Sequence, residues 1–169
     1  LSMYYRLGEL GAAVGLAQMR KLPGLIAENR KNKKFIKDKL RNFKNITFRT
    51  LPDESGDSAT FLNLFLPSKE ITLKVIDQFE KDGIGGVTYW YKNNYHFINQ
   101  WDHIKKMKYP AHLAVHHLGA PEGLISPELK ISEDLMGRMI SIGIRCTWSE
   151  SELNGYAAKI CASIGKIIS

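Results

Sequence analysis

Apolar and polar positions along this chain change period several times, and each period predicts a different element. Over residues 5–18 the side chains are small and apolar, with Ala12, Ala13, Val14, Leu16 and Ala17 crowded together and glycines at 8, 11 and 15. A helix with so little side chain predicts close packing against a large neighbour. Pro23 then either opens a second helix or kinks a continuous one, because it supplies a fixed φ but no N–H. Beyond it Leu25, Ile26, Phe35, Ile36, Leu40 and Phe43 recur at helical spacing opposite a basic face, which predicts a long amphipathic helix.

The period then shortens. Residues 46–51 alternate, and 60–66 are almost continuously apolar, so the second of these two strands is expected to be buried on both faces. The segment 52–57, with Pro52, Asp53, Gly56 and Asp57, is a turn between them. Ser68 is placed to cap a helix over 69–81 that buries Ile71, Val75, Ile76 and Phe79 and stops at Gly83. Residues 87–91 resume as strand. Gly83, Gly85 and Gly86 follow the helix, and they predict a turn of unusual φ rather than a phosphate loop.

From 92 to 127 the periodicity fades, while Asn93, Asn94, Tyr95, His96, Trp101, His103, His112, His116 and His117 accumulate. Long irregular stretches inside small domains are usually functional loops, so a site is expected here. Ile140, Ile142 and Ile144 predict a strand, Ser149 and Glu152 have the spacing of a capping box, and a final helix buries Leu153, Tyr156, Ala157, Ile160, Ile164 and Ile167. The succession predicts the α/β class: a short sheet with flanking helices, preceded by a long helix. The division expected is a helical segment over 1–45 and a small α/β domain over 46–169, with a substrate loop at about 85–127.

Composition narrows the picture. At 169 residues and 44% hydrophobic, the chain has material for one core. It holds no apolar run of roughly 20 residues and no charged leader before a short apolar stretch, which predicts a water-soluble protein. The sequence enters ordered pattern at Leu1, as though it continued a longer polypeptide. Cys146 and Cys161 have the spacing of neither a disulfide framework nor a zinc knuckle, and buried free thiols in a reducing cytoplasm are the expectation. The net charge of +7 is concentrated in Arg30, Lys31, Lys33, Lys34, Lys37, Lys39, Arg41 and Lys44. Such a run is a solvated helix face, or it meets an anionic ligand or nucleic acid; a basic α/β nucleic-acid-binding module is the rival reading. The histidines have no acid or cysteine at a ligand spacing, so no metal is expected. No nucleophile, base and orienting group can be assembled from the linear order, and an autonomous hydrolase is not supported.

The stretch from Tyr5-Arg6-Leu7-Gly8-Glu9-Leu10 through Ala12-Ala13-Val14-Gly15-Leu16-Ala17-Gln18 to Leu22 resembles the segment that follows the pyridoxal-phosphate (PLP) domain in the DegT/DnrJ/EryC1/StrS sugar aminotransferases. Asp82-Gly83-Ile84 with Val87 and Tyr89 is similar to the family's turn before a substrate loop that ends in histidine. His96 is the counterpart, two residues beyond the common spacing. Residues 139–151 resemble the apolar strand and acidic turn before the family's last helix, so the resemblance covers the whole chain.

This resemblance implies the small C-terminal domain of a fold-type I enzyme, with PLP as cofactor and a homodimer sharing its active sites. The reaction implied moves an amino group from an amino acid, glutamate by preference, to a keto-sugar. The Schiff-base lysine would belong to an upstream half, so no catalytic residue is assigned here. Tyr4 and Arg6 are carried over as cofactor-binding: Arg6 as a charged fork near phosphate, or else paired with Glu9, and Tyr4 in place of the family's asparagine. Tyr89, Asn94 and His96 are carried over as substrate-binding. The departures at Tyr4 and in the 90–101 loop point to an atypical acceptor, an octulosonic acid of lipopolysaccharide, beside the nucleotide-linked keto-hexoses common in the family.

Overall fold

Two apolar strands with different backs organise the molecule. In a computed structural model of the chain, which describes residues 8–93, 96–105 and 129–168, strand β2 (Phe61–Phe65) pairs antiparallel with β4 (Met139–Gly143), setting Leu62 against Ile142 and Leu64 against Ile140. The order is β1-β2-β4-β3, with β1 (Thr47–Phe48) and β3 (Val87–Thr88) as short antiparallel edges. Because strand side chains alternate, Leu62, Leu64, Ile140 and Ile142 point to one face and are almost fully buried.

Among the described residues, three helices cover that face. Helix α1 (Glu9–Leu40), α2 (Lys69–Lys81) and α5 (Glu150–Gly165) bring Ile36, Leu40, Val75, Phe79, Leu153, Ala157, Ile160 and Ile164 onto it in one cluster. The boundaries follow expected chemistry. The Ser68 hydroxyl accepts the Ile71 N–H at 3.3 Å to start α2, and Gly83 at φ +66° ends it where a side chain would be strained. Ser149 and Glu152 cap α5 reciprocally, as a capping box requires. At their far ends the two helices are tied together: Asp82 accepts hydrogen bonds from the Ser163 hydroxyl and, at 2.8 Å, from the Lys166 ammonium.

Several expectations need correction. Strand β2 is not buried on both faces: Phe61 is 44% exposed and Asn63 and Phe65 are half-buried, since they face away from the helices. The strand expected over 46–51 reduces to Thr47–Phe48. The one expected over 87–91 stops at Thr88, because the backbone tightens into a 3-10 turn at Trp90–Lys92. Helix α4 (Lys130–Arg138), absent from the sequence reading, precedes β4, and its Arg138 pairs with Asp134 at 2.8 Å. Of the two readings of Pro23, the continuous helix holds: it sits within α1. The thiols of Cys146 and Cys161 are free and half-buried, and burial pushes the Cys161 thiol up.

Helix α1 is divided in its surroundings. Asn29, Asn32, Ile36 and Leu40 are buried against the sheet and α5, with the Asn32 amide donating to the Arg145 carbonyl at 2.9 Å. Upstream, Leu10 is 81% exposed, and Val14, Leu16, Met19, Leu22 and Leu25 are exposed as well. The close packing predicted for the small-residue segment is therefore not made within the described residues. Among these residues no helix is long and apolar enough to cross a membrane. A short helix α3 (Asp102–Lys105) follows the 3-10 turn Ile98–Gln100; the rest of the loop expected at 85–127 lies partly outside the described residues.

Ile160→Ala removes a fully buried side chain from the middle of the core, and urea unfolding should show a loss of about 2–5 kcal/mol; a loss below about 1 kcal/mol would contradict this placement. The hydrogen bonds from Lys166 and Ser163 hold the Asp82 carboxyl well below the ordinary aspartate range. A lowered folded-state value gives stability that is present above the unfolded pKa and is lost as pH falls through the folded one. Asp82→Asn should thus lower Tm at neutral pH, with the gap to the unaltered chain closing below about pH 4; a pH-independent gap in calorimetric melts would rule the mechanism out.

Candidate functional site

The face of the sheet opposite the core helices is neither empty of chemistry nor uniformly apolar. Along β2 it shows Phe61, Asn63 and Phe65, and along β4 Met139, Ser141 and Gly143. A groove of about 530 Å³ is lined by Phe48 of β1, Arg49 just beyond it and Lys33 and Lys37 of α1, and also by Phe61, Asn63, Ser141, Trp90 and His96.

Its centre is a fixed hydrogen-bond chain. The Trp90 indole N–H donates to the Ser141 hydroxyl at 2.6 Å, and that hydroxyl donates to the Asn63 side-chain oxygen at 2.6 Å. Ser141 is 1% exposed, so the chain satisfies a buried hydroxyl in both of its roles and locks the indole ring across the sheet. Phe61 packs edge-on against Trp90 at 6.3 Å between ring centroids, and the His96 imidazole packs on its other neighbourhood at 4.3 Å.

The groove's charge is lopsided: Lys33, Lys37 and Arg49 line it against Asp57 alone. Lys33 and Asp57 pair at 2.5 Å. Burial opposes ionisation of Asp57, yet the Lys33 hydrogen bond and the Ala59 N–H outweigh it and hold the carboxyl below its ordinary value. Arg30 donates to the Ser55 and Asp57 carbonyls, so two members of the basic run are occupied in fastening the 52–57 turn to α1. Lys37 lies over the Phe48 ring at 5.5 Å, and neither it nor Arg49 forms an ion pair among the described residues.

Of the residues singled out from sequence, His96 lies in this groove, exposed, with Nδ1 3.3 Å from the Asn93 amide oxygen. Tyr89 lies beside it but turns inward: it is 9% exposed, donates its hydroxyl to the Gly137 carbonyl at 3.0 Å and stacks on Tyr91 at 5.8 Å. Burial pushes its phenol up to about 12, so it stays protonated as a structural donor. Tyr4, Arg6 and Asn94 lie outside the described residues. Sequence reasoning missed Trp90, Ser141 and Asn63. The available signal was a lone serine between Ile140 and Ile142, whose partner is set by a strand register that linear order does not reveal. Among the described residues no trio of His, Cys, Asp or Glu is gathered as a metal site would need.

The sequence model of the DegT/DnrJ/EryC1/StrS aminotransferase family matches residues 1–160. The fold is similar to that of PseC from Helicobacter pylori, an aminotransferase involved in the biosynthesis of pseudoaminic acid (TM-score 0.67, 17% identity), over 98% of this chain and 40% of that one. It is similar to the aminotransferase TlmJ from Streptoalloteichus hindustanus (TM-score 0.63, 15% identity), over 92% of this chain and 36% of that one. Spr1654 from Streptococcus pneumoniae in its PLP form matches with TM-score 0.59 and 14% identity, over 97% of this chain and 37% of that one. The chain thus spans well under half the length of these proteins.

Ser141→Ala strips the indole of its acceptor and Asn63 of its donor at a buried position. It should cost about 1–3 kcal/mol in denaturant unfolding and shift tryptophan emission in the folded protein; unchanged emission together with unchanged stability would break the chain as described.

Proposed function

Since this chain belongs to the DegT/DnrJ/EryC1/StrS aminotransferase family, we propose that it is the C-terminal part of a PLP-dependent enzyme that moves an amino group from an amino acid to a keto-sugar. The family match over residues 1–160 carries the reading. PLP supplies the electron sink and the amino-group carrier in such reactions; Spr1654, matched here, is known in PLP and PMP forms.

The division of labour follows from the halves of α1. The exposed apolar residues from Leu10 to Leu25 are suited to lie against an upstream cofactor-holding domain, while the half from Asn29 to Leu40 anchors a small domain over 46–169. No lysine of this chain sits in a segment resembling the Schiff-base motif, so the catalytic lysine belongs to that upstream part and the 169 residues alone are inactive. Arg6 and Tyr4 face the cofactor, in a cytoplasmic homodimer whose active sites are shared. The substrate side is His96 on the groove, with Asn94 assigned to the same loop and Tyr89 behind it as a structural donor. Glutamate is the donor, and the acceptor is an octulosonic acid or a nucleotide-linked keto-hexose.

The full-length protein, loaded with PLP, should absorb visible light as the lysine-bound cofactor does, and L-glutamate should discharge that band; the 169-residue chain alone should do neither. A full-length protein that stays colourless with PLP, or whose band ignores every amino acid offered, would refute the proposal.

A further inference from the structure

We propose that Tyr91 is the positioning residue of the loop 90–97: fixed between Lys69 and Glu133, its phenol sets the backbone that holds the His96 imidazole in the groove. The proposal rests on the aminotransferase reading only for what His96 does there.

The loop has little to hold it from within. Strand β3 ends at Thr88, and the 3-10 turn Trp90–Lys92 is closed by the Lys92 N–H donating to the Tyr89 carbonyl at 3.3 Å and the Asn93 N–H to the Trp90 carbonyl at 3.0 Å. Bonds of this kind have poorer geometry than those of an α-helix, so partners elsewhere in the fold decide the shape of the turn.

The side chains that supply those partners sort into two sets. Trp90 and His96 pack together, with 4.3 Å between ring centroids, and line the groove. Tyr91 belongs to the other set: it stacks on Tyr89 at 5.8 Å and tilts against the buried Phe97 at 5.2 Å. His96 therefore touches the residue before Tyr91 and is joined by the chain to the ring that Tyr91 packs on.

Helix α4 receives the second set in register. The Tyr89 hydroxyl donates to the Gly137 carbonyl at 3.0 Å, and the Tyr91 hydroxyl to the Glu133 carboxylate at 2.9 Å. Residues four apart on a helix lie about 6 Å apart along its axis, which matches the separation of the two stacked rings. The Lys69 ammonium donates to the same Tyr91 oxygen at 2.6 Å and lies 4.0 Å from the ring centre. The phenol thus accepts from a cation and donates to an anion, and both bonds take the stronger, charge-assisted form.

Lys69 runs against local rules. As the first residue of α2, it sets a cation at the helix end whose dipole favours anions. Its stem lies against α4 where Gly137 has no side chain; a Cβ there would come within 3.3 Å of the Lys69 Cδ. A lysine opposed to its own helix dipole, a glycine that admits its stem and a carboxylate one turn away all serve one oxygen, that of Tyr91.

Hydrogen exchange and histidine imidazole NMR on the full-length protein test the assignment. Tyr91→Phe keeps the ring and loses the hydroxyl; the Lys92 and Asn93 amides should exchange about ten-fold faster, and the imidazole resonance that is missing from His96→Gln should shift. Glu133→Ala, at an exposed position, should do the same without touching the core, whereas Glu133→Gln, which still offers an acceptor oxygen, should leave both signals in place. Exchange in β2 and β4 is the control and should not change. A His96 resonance that stays put in both Tyr91→Phe and Glu133→Ala overturns the proposal, even if the amides speed up. So does an equal gain of exchange in β2 and β4, which would make Tyr91 a general stabiliser. Discharge of the cofactor band by L-glutamate is scored separately on the unaltered protein, so failure of the clamp and failure of the aminotransferase reading leave different records.

Discussion

The pairing of β2 with β4 is the constraint on which the rest depends. With Leu62 opposite Ile142 and Leu64 opposite Ile140, four large aliphatic side chains face the helices together, and Asn63 and Ser141 meet on the other side. The same register therefore makes both the core and the hydrogen-bond chain that holds Trp90. A slip of one residue would turn Ser141 and Asn63 into the helix layer and the isoleucines into the groove, losing core burial and leaving polar groups without partners. Stability and site geometry are coupled because a strand has only two sides.

That coupling explains which parts of the fold were legible in the sequence. Helices α2 and α5 were, since their caps are local: Ser68 and Gly83 for one, Ser149 and Glu152 for the other. The run 60–66 was read as strand correctly but given the wrong surroundings, because its open face carries Phe61 and Phe65, which are apolar without being core. Hydropathy does not distinguish an aromatic side chain that fills an interior from one that lines a groove. Helix α4 was missed because its nine residues bury only Gly137, whose lack of a side chain admits Lys69 against it. A helix that contributes a backbone surface leaves little apolar periodicity to find.

The site was legible in a different measure. The family signature lay in 5–22, and the histidine loop led to His96, which does line the groove. In sequence Trp90 stands where the strand pattern of 87–91 meets the 90–101 loop, and the cations of 30–44 form a single helix face. Only three-dimensional pairing shows that Lys33, and at longer range Arg49, act on Asp57. Ion pairs between residues distant in sequence, such as Lys33 with Asp57, depend on where a turn folds back, and the anchoring of that turn by Arg30 is itself a tertiary event. Local rules thus reach caps and periodicity, while the accounting of charge waits for the fold.

Helix α1 is a rod of 32 residues, about 48 Å long at 1.5 Å per residue, gripped, among the described residues, along its last third or so. Geometry makes it a lever with its fulcrum near Asn29. A tilt of ten degrees there, acting over the roughly 30 Å to Glu9, sweeps the tip through about 5 Å, whereas the side chains beside the fulcrum barely move. Read in the opposite direction, the mechanical advantage is a gain in precision: whatever clasps the free end, even loosely, sets the bearing of the sheet and its groove to within a few degrees.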